Sequence, residues 1–141
     1  KKRVPPELFS VDLFPDDDEI QVATLVGHLK GILQPDADAL KRSPLFGRVR
    51  SQITAADITA DGKTLAVMSY SHVYLWQKHS EGWESAIAKV PVRRTLPWMA
   101  QAEAMGFSRD GQLLWLSGER LPAPLIRMNK VSDRAWFGSI K

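Results

Sequence analysis

The run Ile53-Thr-Ala-Ala-Asp-Ile-Thr-Ala-Asp-Gly-Lys-Thr-Leu-Ala-Val-Met68 decides how the rest of the chain is read. It sets two strand-like stretches on either side of Asp61-Gly62. That dipeptide signals a tight turn, because glycine accepts a positive φ at little cost. The first stretch carries small residues, Ala55 and Ala56. The second, Leu65-Ala66-Val67, is apolar at consecutive positions, as a strand covered on both faces requires. The same design returns in Gln101-Ala-Glu-Ala-Met-Gly-Phe-Ser-Arg-Asp-Gly-Gln-Leu-Leu-Trp-Leu-Ser117. Placing Asp61-Gly62 on Asp110-Gly111 sets the offset at 49 residues (61 to 110). Ala55 then meets Ala104, Ile58 meets Phe107, Thr59 meets Ser108, Leu65 meets Leu114 and Val67 meets Leu116.

Each unit continues into another apolar strand, Val73-Tyr74-Leu75-Trp76 in the first and Leu125-Ile126-Arg127-Met128 in the second. The second needs about three extra loop residues, found around Leu121-Pro122-Ala123-Pro124. Fourth strands are expected at Trp83 to Val90 and at Ala135 to Ile140. Before the first unit, Glu7 to Leu13 and Gln21 to Val26 read as the outer two strands of a preceding unit, joined by the polar turn Pro15 to Glu19. The one helical stretch expected is Asp36 to Arg42, started by Pro35 and Asp36.

A four-stranded unit recurring every ~40 to 50 residues is a β-propeller blade, with small residues on the innermost strand where strands crowd the central axis. The expected fold is all-β, a partial propeller of antiparallel blades: about two full blades plus the outer half of another. Residues 1–28 supply those outer strands, 29–52 a long connecting loop, and 53–100 and 101–141 the blades. Two and a half blades cannot close a ring, so the expected partners are the remaining blades of a longer propeller or further copies of this chain. The chain starts at Lys1-Lys2, and an outer half-blade comes first; the expectation leans to a trimmed or excised part of a larger protein.

The pattern of strand, Ser or Thr, Asp-Gly, apolar strand and Tyr-Leu-Trp resembles bacterial six-bladed propellers, the TolB-like type and its esterase-like or phytase-like relatives. The resemblance rests on residues 53–76 and 101–128. It implies a bacterial, periplasmic or secreted protein and leaves the ligand open. Neither unit carries the Gly-His and Trp-Asp pair of a WD repeat.

Composition narrows the partners. The 19 basic and 16 acidic residues give +3, but the cations are scattered apart from Lys1-Lys2-Arg3 and Lys41, Arg42, Arg48 and Arg50. A nucleic-acid surface needs cations converging on one face, so none is expected. No apolar run is long enough to span a bilayer as a helix. The absence of cysteine removes disulfides and thiolate metal sites.

The candidate site residues follow from position. Asp57 and Glu103 stand on first strands, where carboxylates gathered round a channel would hold Ca²⁺ or another divalent cation; the plainer reading is that each accepts backbone N–H bonds from a neighbouring blade. Arg48 and Arg50, at alternate positions of an extended segment, would grip an anionic group, or else belong to a solvated linker capped by a packed Phe46. Trp98, just ahead of a first strand, would form an aromatic platform at the channel mouth or a plug between blades. His28, His72 and His79 lack metal-ligand spacing, and Ser69 and Ser71 lack the glycines of a nucleophile elbow. The expected function is a binding or scaffold module that offers loops at a channel mouth to a small ligand or protein partner. The alternative is a phosphoesterase-like or lactonase-like hydrolase using a metal held by the channel carboxylates.

Overall fold

A computed structural model describes residues 5–12, 14 and 20–130, with the side chains of Ala39, Leu45, Phe46 and Arg48 excepted. The described residues form an all-β chain of three antiparallel sheets. The first pairs β1 (Glu7–Ser10) with β2 (Thr24–His28). The second runs in sequence order through β3 (Ile53–Ile58), β4 (Thr64–Ser69), β5 (His72–Gln77) and β6 (Val92–Thr95). The third holds β7 (Ala102–Phe107), β8 (Leu113–Gly118) and β9 (Leu125–Asn129).

The two matching stretches of sequence fold into hairpins of matching register. Ile58 pairs with Leu65 and Phe107 with Leu114, and each first strand carries one register shift, between Ile53 and Ala55 and between Ala102 and Ala104. The turns are the same object built twice. Asp61 Oδ1 accepts from Thr59 Oγ1 (2.6 Å) and from the Lys63 amide (3.0 Å); Asp110 Oδ1 accepts from Ser108 Oγ (2.5 Å) and from the Gln112 amide (3.0 Å). Thr59 Oγ1 and Ser108 Oγ each take the amide that opens the returning strand, Thr64 at 3.0 Å and Leu113 at 2.9 Å. Gly62 (φ 65°) and Gly111 (φ 66°) supply the left-handed step that closes the turn. These bonds hold the Asp61 and Asp110 carboxyls below the usual carboxylate range, the hydroxyl contributing most and the amide next. After the second strand the offset grows from 49 to 52, since Thr64 pairs with Gln77 and Leu113 with Asn129, which matches the three extra loop residues expected.

The second sheet is buried on both faces. Ala66, Met68, Val73 and Leu75 join Leu96, Met99, Ala102, Leu114 and Leu116 in a core between the second and third sheets. On the opposite face Leu65, Val67, Tyr74 and Trp76 pack with Leu29, Ile32 and Ile87. Alternation along β4 and β5 divides these two sets, as the two-residue period of a strand demands.

Three parts of the sequence fold otherwise than expected. Residues 83–90 do not form the fourth strand. Gly82–Ile87 is a helix, α3, which buries Ala86 and Ile87, and Trp83 is packed beside them. Positions 83, 86 and 87 have helical spacing, and that period wins over the aliphatic content of the stretch. The fourth strand is β6, pairing Tyr74 with Arg93 and Leu75 with Val92. Residues 29–52 are not a plain loop. They hold α1 (Ala37–Arg42), close to the helix expected at Asp36 to Arg42, and α2 (Pro44–Val49), which was not expected. Ser43-Pro44 signals this helix, a capping-type residue followed by proline at the first helical position. In the N-terminal pair, the second strand is Thr24–His28, displaced towards α1 from the expected Gln21 to Val26. The turn expected at Pro15 to Glu19 and the strand expected at Ala135 to Ile140 lie outside the described residues.

Candidate functional site

The topology gathers the polar candidates at one end of the sheets. The link from α2 into β3, the turn between β4 and β5, and the link from β6 into β7 all lie there. Leu96 donates its amide to the Ser71 carbonyl (2.9 Å), tying the third of these segments to the second. Ser71 Oγ donates to the Arg50 carbonyl (3.1 Å), tying the second to the first. Arg50 is exposed, and Trp98, in the same β6–β7 link, is 89% exposed. The structure thus sets Arg50 beside Ser71 and leaves Trp98 open to solvent on the neighbouring segment.

Arg48 falls within α2 and its side chain lies outside the described residues. The extended segment expected to align Arg48 with Arg50 is a helix followed by a turn, so strand alternation does not align the pair.

His72 opens β5 at this end. Its Nδ1 lies 2.8 Å from Ser71 Oγ and its Nε2 lies 3.3 Å from Thr95 Oγ1. Ser71 gives its one hydroxyl proton to the Arg50 carbonyl, so Nδ1 carries the imidazole proton and Nε2 accepts from Thr95. Burial, and then the charges of Arg93 and Arg50, hold the His72 pKa below its usual 6.5, which favours that neutral form. The arrangement does not activate Ser71 as a nucleophile, because its proton points at a carbonyl and not at an imidazole nitrogen.

The two acidic candidates are not brought together. Asp57 stands near the far end of β3, where its Oδ1 accepts from the Ile58 amide (2.8 Å) and its Oδ2 from the Phe107 amide (2.7 Å). Ile58 and Phe107 are equivalent positions of the two units, so one carboxylate clasps the same backbone group in both. Glu103 enters four residues before Phe107, about 13 Å along an extended strand. It accepts a hydrogen bond from the Tyr70 hydroxyl, a residue of the β4–β5 turn. That bond, with burial adding to it, pushes the Tyr70 phenol up to about 12. Asp57 therefore adopts the backbone-accepting role that was the plainer expectation, and Glu103 pairs with a side chain. Among the described residues no group of three or more His, Asp or Glu is placed to hold a metal ion.

Tyr70 and His72 were not singled out from the sequence as site residues. Tyr70 meets Glu103 across 33 positions of chain, a pairing that no local pattern announces. No family model matches the chain, and comparison with curated proteins and with solved structures gave no match.

Proposed function

We propose that this chain is a run of β-propeller blades acting as a binding or scaffold module within a larger ring. The observation that carries the proposal is the Asp57 clasp. It sets first strand beside first strand in consecutive repeats, the relation that blades have around a central channel. Face-to-face packing of the second sheet on the third supports the same reading.

The end bearing Arg50, Ser71, His72 and Trp98 is then the ligand-facing mouth. Arg50 offers a cation, Trp98 an exposed aromatic face and His72 a neutral imidazole, a set suited to a small anionic or aromatic group or to a partner's loop. The hydrolase alternative asks Asp57 and Glu103 to turn to a common ion, whereas both accept bonds from protein donors at opposite ends of their strands. The module reading also places the protein in the bacterial periplasm or outside the cell, on the blade resemblance alone.

Paired native and denaturing mass spectrometry tests the ring. A whole-number multiple of the 15.8 kDa chain, or a second polypeptide held with it, is expected. A stable monomer at micromolar concentration overturns the larger ring.

A further inference from the structure

The groove between β1 and the β3–β4 hairpin has a volume of about 480 Å³ and is lined by Leu8, Phe9, Ala56, Leu65 and Val67 among others. Its place in the repeat states what fills it. In the third sheet, Met105, Phe107, Leu114 and Leu116 face the second sheet and pack on Ala66 and Met68. Moving back by the 49-residue offset, the matching residues are Ala56, Ile58, Leu65 and Val67. In the second sheet these turn away from the third, and Ala56, Leu65 and Val67 line the groove. Phe107 is packed into a core, but its counterpart Ile58 is 44% exposed and Ala56 is exposed as well. The face is thus the continuation of the existing sheet-on-sheet interface, one repeat earlier.

The occupant has two strands. β2 leads into β3 as β6 leads into β7, so β1 and β2 stand where third and fourth strands stand. Among the described residues β1 pairs with β2 alone. An intact third sheet from another copy does not fit, because its β9 would claim the place that β1 already fills. Resting on the propeller reading, we propose that the groove receives an inner β-hairpin of the same repeat type. It would add to the edge of β1 that faces away from β2 and fill the groove against Ala56, beside the already buried Leu65 and Val67. The groove is lined by smaller residues than the corresponding face of the third sheet, with Ala56 for Met105 and Val67 for Leu116. The incoming hairpin therefore carries a bulky residue at the position of Ala66, as β8 does with Trp115.

A duplicate of residues 101–118 fused ahead of Lys1 tests this on the full chain. Residues 1–6 then serve as a six-residue connector, the same length as 119–124 between β8 and β9. The expected result is that β1 amides exchange with deuterium roughly tenfold slower or more than in the parent. The gain should vanish in the fused chain bearing Ala56→Arg, which fills the groove from an exposed position and leaves the parent fold intact. Equal protection in the parent, the fusion and the Ala56→Arg fusion overturns the proposal. Should the fusion fail to fold, the free 101–118 peptide added to the parent gives the same readout, with Ala56→Arg again as control. Native mass judges the ring separately: a multimeric chain with unprotected β1 sinks the groove alone, and a monomer protected by the fusion sinks the ring alone.

Discussion

β4 and β8 are the returning strands of two hairpins with matching register and turns, and their surroundings differ. Every residue of β4 is buried, whereas β8 buries Leu114, Leu116 and Gly118 and leaves Leu113, Trp115 and Ser117 half-exposed. The turn that precedes each is held by the same bonds with distances that agree within 0.1 Å. Local structure therefore does not need the packing; a Thr or Ser, an Asp and a Gly are enough to set the hairpin. Packing adds the energy and decides which face tolerates change. One hairpin has a neighbour on both sides among the described residues, the other on one.

The widest difference should come from a charge placed at equivalent positions. Ala66 is fully buried between the second and third sheets, and a carboxylate there has no partner to compensate its lost hydration. Ala66→Glu should unfold the protein, a loss of about 4 kcal/mol or more, while Trp115→Glu should cost about 1 to 2 kcal/mol. Urea unfolding of the two variants checks this, and equal losses would break the distinction between the strands.

Next comes the last residue of each strand. Ser69 has room for a side chain, and its hydroxyl accepts from the Ser71 and His72 amides. Gly118 has none, since a Cβ there would run into the carbonyl of Ala100, which the left-handed Gln101 (φ 49°) helps to bring close. Gly118→Ser should cost about 3 kcal/mol and Ser69→Gly about 1 to 2 kcal/mol, by overpacking in one case and a lost turn bond in the other. Thermal midpoints of the pair would separate them.

Asp57 is present in the first unit only, because its counterpart is Gly106. Asp57→Ala should remove about 2 kcal/mol and speed exchange of the Phe107 amide, since that donor loses its charged acceptor. The Ala102–Gly118 ladder should change little. If the Phe107 amide stays as protected as before, the clasp does not link the two hairpins.

The smallest effects are those of pH. Tyr70 holds its proton more tightly when folded than its usual 10.0, so the stability it lends is complete below pH 10 and is lost as pH rises towards about 12. His72 has the opposite sign. Its lowered pKa favours the neutral ring, so its contribution is complete above pH 6.5 and fades as pH falls through the folded value. Tyr70→Phe should flatten the alkaline limb of a stability–pH curve and leave the acid limb as it was. A curve unchanged by the substitution would remove the Tyr70–Glu103 bond from the account.

Much of the architecture was legible because it is written in local chemistry at fixed spacing. Asp61-Gly62 and Asp110-Gly111 fix two turns, the apolar runs beside them fix the strands, and the proline-bearing loop at 121–124 accounts for the change of offset. The misread stretch was 83–90, where a short run of apolar residues satisfies a strand and a helix alike until the positions touching the core are known. The candidate site was less legible still. Asp57 and Phe107 lie 50 residues apart, and Tyr70 and Glu103 lie 33 apart. A carboxylate in a sequence is an acceptor without an address.

The sequence by itself determined the hairpins, their turns and their repetition, since these depend on φ preferences, short-range hydrogen bonds and the two-residue period of a strand. Only the tertiary structure decided which face of each hairpin is covered, which amide Asp57 holds, and that Asp57 and Glu103 serve different ends of the sheets. Those outcomes depend on which surfaces meet, and that is set by packing between segments far apart in the chain.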